Sequence, residues 1–339
     1  GAETAHRLWD MAEEAKALTR DLAARAGVPV TDGIAHAFRN PGEYDHARAM
    51  IDRLARDYGY GRIEALDRDA FRALVPSKAY LAGELDHGAG HLNPLDLALG
   101  MARLADAAGA RLYEMSHVHQ IRHARRADEK TIVQTHKGRV LCDHVILAAN
   151  GYLGHLDMKV AARVMPINNF IVATAPLGAR AAEVLTRDIG VHDTKFVVNY
   201  WRLDPEGRLI FGGGENVSYR FPADIAAKVR KPLLEIYPGL ADVELTHTWG
   251  GTLAITMNRM PCFIRPAPNC LSASGFSGHG VALATLSGKL MAQAVQGQAQ
   301  GFDTMAALPS RPFPGGGMFR WPLLVAGMGW YSLRDRLGF

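Results

Sequence analysis

The chain has 339 residues, of which 48% are hydrophobic and 21% charged, an ordinary globular composition with room for two domains. Its 38 basic residues against 34 acidic ones leave a formal charge of only +4, and no basic run is interleaved with aromatics, so a nucleic-acid partner is not expected. No apolar run reaches the roughly 20 residues that span a bilayer, the opening GAETAHRLWD has no signal-peptide pattern, and the three cysteines, Cys142, Cys262 and Cys270, are scattered through apolar segments like reduced core thiols of a cytoplasmic protein.

In chain order, the period of Leu8, Met11, Ala15, Leu18 and Leu22 predicts an amphipathic helix over 5–26, closed by Gly27 and Pro29. A short strand over 34–38 and a helix over 44–58 follow, then a short helix over 66–74 with Asp67 as its N-cap and a strand over 79–85. From His91 the pattern becomes α/β: Asn93-Pro94 opens a helix that Gly109 ends, and strands are expected over 111–115, 118–123, 131–136 and 139–149. The last closes with Val145 to Ala149 running into Asn150-Gly151. A continuous apolar run ending on small residues is what a central parallel strand meeting a ligand at its carboxyl end looks like.

A second set of strands, 165–176, 196–201, 209–213 and 245–255, with a helix over 222–237, predicts a mostly antiparallel sheet covered by helices. Residues 309–317 read as a Pro/Gly connector, and the apolar stretch 321–331, broken by Pro322, Gly327 and Gly329, as a tail packed on the body.

The organising stretch is 269–298. A small-residue strand at 270–273 gives way to Gly275, Gly278 and Gly280, and from Val281 the apolar residues recur at helical spacing. Such a turn brings unpaired backbone N–H groups and the positive end of a helix dipole close to an anionic or electron-rich ligand. A serine-hydrolase elbow would need Gly-x-Ser-x-Gly, but His279 stands two places after Ser277. A dinucleotide fingerprint would need a following βαβ unit, which is not there, and tight helix packing remains the plain alternative.

Other candidates are weaker. His117, His119 and His123 fall on one strand face without a carboxylate or cysteine at ligand spacing, so no metal is expected. Gly212, Gly213 and Gly214 lack a following helix to cradle phosphate and read as close packing or positive φ. Tyr200 and Trp249 are strand aromatics, and Arg259 is either a bidentate carboxylate receptor or a surface arginine.

Gly275-Phe276-Ser277-Gly278-His279-Gly280-Val281-Ala282, preceded by Asn258-Arg259-Met260-Pro261, resembles the carboxy-terminal flavin-contacting segment of the FAD-dependent D-amino acid oxidase and glycine oxidase superfamily, in its gamma-glutamylputrescine oxidase-like branch. The resemblance runs through essentially the whole chain. It implies an α/β (α+β) fold, with a Rossmann-like FAD-binding part beside an antiparallel substrate sheet. The corresponding division is 1–90, 91–157, 158–260, 261–308 and 309–339.

It also implies FAD held by Ser277, Gly278, His279, Gly280 and Val281, with Ala148, Ala149 and Gly151 beside it and Val118 near the adenine. Tyr200, Trp249, Arg259, Asn168 and Asn169 would form the pocket for an amine or amino acid whose C–N bond is oxidised. One element of the family pattern is missing: no Gly-x-Gly-x-x-Gly turn with a following acidic residue precedes Ala26. The expectation is a chain that begins after that unit, leaving three standings: a truncated enzyme, a subunit whose dinucleotide half comes from a partner chain, or a non-catalytic fragment.

Overall fold

A computed structural model describes residues 1–214 and 220–314. Helix α1 (Ala2–Arg25) turns through Gly27, at a positive φ, into strand β1 (Thr31–Phe38). Helix α2 (Pro41–Tyr58) starts where the Glu43 carboxylate folds back onto the N–H groups of Arg39 and Asn40, and it stops at left-handed Gly59. Strand β2 (Ile63–Leu66) precedes α3 (Arg68–Leu74), whose first N–H groups are received by the expected cap, Asp67. Strand β3 (Ala82–His91) leads into α4 (Pro94–Ala107), capped by Asn93.

Strands β4 (Val118–Arg122), β5 (Thr131–Thr135) and β6 (Arg139–Cys142) form a small antiparallel meander, after which β7 (Val145–Leu147) leaves for another sheet. Then come α5 (Met158–Ala161), β8 (Met165–Thr174), β9 (Gly190–Asp193), β10 (Tyr200–Leu203) and β11 (Leu209–Gly212). The series closes with α6 (Ile225–Ile236), β12 (Leu245–Ile255), β13 (Cys262–Ala267), β14 (Cys270–Ser274), α7 (Gly280–Val295) and α8 (Gln300–Ala306).

The eight-stranded sheet runs β12-β8-β11-β10-β9-β1-β3-β2 and is antiparallel except where β1 meets β9, so the mixed α/β architecture with a mostly antiparallel sheet is as expected. One face carries the main core. Tyr80, Trp201 and Phe211 stack in sequence, with ring centroids 5.8 and 5.9 Å apart, while Phe71 of α3 and Val229, Leu233 and Ile236 of α6 close over them. Aromatic rings bury large apolar areas, and offset stacking adds to that.

The second sheet, β13-β14-β7, is parallel between β14 and β7. All five residues of β14 are buried, and α7 packs Leu286, Leu290 and Met291 against Ala15 and Phe302. Among the described residues β7 is the end strand of its sheet, and Ile146 on it is exposed.

Three readings change. Residues 111–115 form no strand: Leu112, Tyr113 and Met115 are exposed and Met115 takes a positive φ, because among the described residues no strand pairs with them to receive their N–H groups. The expected strand over 139–149 is two, broken at Asp143, whose carbonyl accepts from the Asn269 side chain. Residues 196–199 are a loop, since the Asp193 carboxylate draws in the N–H groups of Lys195 and Asn199 before β10 can start.

Strands β2, β9 and β13 come unannounced; β9 is short and opens on Gly190, and β13 contains Pro266, with a register slip between Ile264 and Ala267 that accommodates it. The connector packs back on the body, Phe313 donating to the Ala162 carbonyl at 2.8 Å, and the tail over 321–331 lies outside the described residues. Among the described residues no helix is long and apolar enough to cross a membrane.

Candidate active site

The loop from β14 to α7 is built by its own backbone. Gly275 holds φ 71°, and a side chain there would press on Thr256 and Val164. Its N–H donates to Asn150 Oδ1 at 3.0 Å, tying the loop to the turn after β7. Ser277 donates its N–H to the Ala254 carbonyl and its hydroxyl to the Gly275 carbonyl at 3.1 Å, and that hydroxyl accepts from Thr256 N–H. The hydroxyl is thus committed to bracing the loop against β12, not presented outward.

Gly278 and His279 are what the loop exposes. Gly278 has φ 95° with open space where a Cβ would point. No side chain caps α7, so the N–H groups of its first turn, beginning at Gly280, face outward beside exposed Val281.

A cavity of about 420 Å³ opens there, lined by Gly278, Val281 and Ala282 on one side and by Tyr200, Gly90 and His91 on the other. Its lining is mostly apolar. Open amides on one rim and an apolar slot suit a flat heterocycle that carries carbonyl oxygens, and FAD fits this donor set.

The opposite wall is the open face of the large sheet. Register sets Glu84, His36, His192 and Tyr200 side by side across β3, β1, β9 and β10. Tyr200 then lies over bare Gly212, where a Cβ would overlap its ring, and its hydroxyl donates to Asn169 Oδ1 on β8. Close packing therefore explains Gly212, and a positive φ of 70° explains Gly214.

His36 and His192 stack with centroids 4.2 Å apart, and His36 Nδ1 lies 3.3 Å from Glu84 Oε1. Burial, then the charges of His36 and His279, hold His192 down at about 4, so it is neutral at ordinary pH. Below the row, burial pushes the Asp193 carboxyl up from its ordinary value while Tyr80 and Asn199 donate to it.

The sequence-predicted residues divide. Tyr200 and Asn169 meet, and Trp249 and Gly251 pair with Ile171 and Asn169, putting exposed Trp249 on the same face. Asn168 alternates to the other side, where it accepts from Thr252 Oγ1 at 2.8 Å and lines a second cavity of about 260 Å³ with Gly151 and Tyr152. Arg259 sits at φ 63°, exposed, its guanidinium 5.7 Å from the Phe196 ring centroid and without a carboxylate partner among the described residues.

Ala148 and Ala149 follow β7 directly, and Gly151 packs its Cα on the Thr252 and Leu253 carbonyls, where a Cβ would collide. Val118 opens β4, in a sheet that shares no strand pairing with β7 or β14. Of the three histidines, His117 and His119 lie against the His136 ring whereas His123 pairs with Asp157 at 3.0 Å. Among the described residues no three His, Cys, Asp or Glu side chains group to hold a metal. The row formed by His36, Glu84 and His192 was missed; single polar residues in short strands carry no local signal, and their register alone reveals them.

Comparisons with known proteins place the chain in a family. A family model described as FAD dependent oxidoreductase matches residues 1–294. The chain is 39% identical to the probable oxidoreductase OrdL of Rhizobium meliloti (strain 1021), over 99% of this chain and 78% of that protein. It is 39% identical to the gamma-glutamylputrescine oxidoreductase of Escherichia coli (strain K12), over 83% of this chain and 66% of that protein, slightly under two thirds of the relative's length. In fold it is similar to glycine oxidase from Geobacillus kaustophilus, with a TM-score of 0.73 at 20% identity over 90% of this chain and 83% of that one. L-proline dehydrogenase from P. horikoshii gives 0.72 at 20% identity over 87% and 82%. The chain belongs to the family of FAD dependent oxidoreductases.

Proposed function

We propose that the chain carries the substrate face and the flavin-ring loop of an oxidoreductase that oxidises the C–N bond of an amine of the gamma-glutamylputrescine kind. The observation that carries this reading is the cavity in which Tyr200 faces Gly278 and Val281, joining an amine-accepting sheet face to open amides. Bound FAD supplies the two-electron acceptor for hydride from the carbon bearing nitrogen.

The residues supply the rest. Gly278, Gly280 and Val281 offer backbone donors to the ring edge, His279 lies between them with its N–H held by the Phe276 carbonyl, and Ser277 braces the loop. Ala148 and Ala149 border the cofactor side. Tyr200, Asn169 and Trp249 receive the amine, and Arg259, free of a carboxylate partner among the described residues, receives an acidic group at the far end of the substrate. Asn168 and Val118 take supporting roles away from this cavity.

The division at 90, 157, 260 and 308 follows the alternation of cofactor and substrate segments, and three unpaired cysteines favour a cytoplasmic setting.

Exposed Ile146 on the end strand β7, with exposed Leu112 and Tyr113, favours a further βαβ unit bearing Gly-x-Gly-x-x-Gly at that edge, joined to this chain or carried by a partner chain. Expressing the chain alone and with such a unit, then recording flavin absorbance after desalting and turnover of gamma-glutamylputrescine, tests the reading. Flavin and turnover in the longer form support it; no flavin in either form refutes it.

A further inference from the structure

Within the row of polar side chains on the open sheet face, most acceptors already have partners. Glu84 is taken by His36, and Asn169 Oδ1 by the Tyr200 hydroxyl. Glu43, at the nearby start of α2, receives Arg39 and Asn40 N–H groups and the Thr194 hydroxyl. Asp193 accepts from Tyr80, Lys195 and Asn199 on the buried side. Each of these acceptors thus already holds a partner, Glu84 through Oε1.

His192 is different. It is half-buried, and a neutral imidazole carries one N–H donor and one nitrogen lone pair. The ring stacks on His36, which is itself hydrogen-bonded to Glu84. Its cross-strand neighbour is Tyr200, which lines the cavity shared with Gly278. Burial keeps the ring neutral, so the lone pair is available.

Resting on the amine reading above, we infer that His192 accepts a hydrogen bond from an N–H of the substrate amine and so fixes that nitrogen beside Tyr200. A group that accepts one hydrogen bond from the substrate sets which way the nitrogen, and the C–H next to it, is turned. It also makes His192 a specificity-determining residue: a nitrogen without an N–H leaves the lone pair unanswered.

The test uses flavin-loaded protein and tert-butylamine, which has no hydrogen on the carbon bearing nitrogen and is bound without being oxidised. Its affinity is measured by calorimetry for the parent, His192→Phe, which keeps a ring against His36 but has no acceptor, and His192→Gln, which restores one. The expected result is about a tenfold loss for the Phe variant, the size of one hydrogen bond, and a loss within about threefold for Gln, with flavin absorbance equal in all three. Unchanged affinity in the Phe variant, or an equal loss in both variants, overturns the assignment of His192 alone. A parent that retains flavin but does not bind tert-butylamine overturns the amine reading and this assignment with it.

Discussion

The eight-stranded and three-stranded sheets that carry the two sides of the site are finished to different degrees. The eight-stranded sheet buries one whole face under α3 and α6, with Phe71, Tyr80, Phe170 and Phe211 fully enclosed. The β13-β14-β7 sheet is as dry in its middle strand, yet it stops at β7 with Ile146 exposed and with Leu112, Tyr113 and Met115 in the open. An exposed apolar side chain on an end strand leaves that edge open to pairing. The large sheet, proposed as the substrate wall, is thus specified by contacts within the described chain, whereas the proposed flavin wall is specified only along β14 and α7.

That contrast can be broken by substitution. Phe211→Ala, in the enclosed face, is expected to cost about 3–5 kcal/mol, because transfer and cavity terms add; a chemical melt reads it, and a loss under about 1 kcal/mol would deny that this core holds the sheet. Gly278→Val meets no steric obstacle, but φ 95° strains any L side chain. With strain of about 1–3 kcal/mol placed in the loop, flavin retention should fall while the core melt of the large sheet stays close to the parent. Equal flavin content would remove Gly278 from the site.

A pH series sharpens the comparison on the substrate wall. His192 titrates at about 4 in the folded chain against an ordinary 6.5, so folding favours its neutral form. That contribution to stability is present above the ordinary value and is lost as pH falls from there towards about 4. His192→Phe should therefore flatten the fall in melting temperature across this window, and an unchanged slope would contradict the burial. Smallest is Ile146→Thr on the open edge, expected to stay within about 0.5 kcal/mol while lowering light scattering on storage; a larger destabilisation would show that the edge is covered.

Much of the flavin wall was legible because it is continuous in sequence. A small-residue strand, three glycines and a helical period sit within 269–298, and each leaves a local mark. The role of Ser277 was not legible, since its hydroxyl turns inward to Gly275 and Thr256 through bonds set by β12.

The substrate wall was legible only in part. Tyr200 and Asn169 stood out, but they join His36, Glu84 and His192 through pairings across β8, β10, β9, β1 and β3, and β9 is too short to announce itself. Alternation explains why Asn168 lines the smaller cavity while Asn169, next to it in sequence, turns to Tyr200.

The claim on which the rest depends is that the amides beginning the last long helix face the flavin ring. Hydrogen exchange of residues 278–282, measured on protein joined to a Gly-x-Gly-x-x-Gly unit with and without FAD, tests it directly. Slower exchange at these amides in the coloured, flavin-retaining form is the expected result. Flavin retained with exchange there unchanged, and protection confined to other segments, would contradict it.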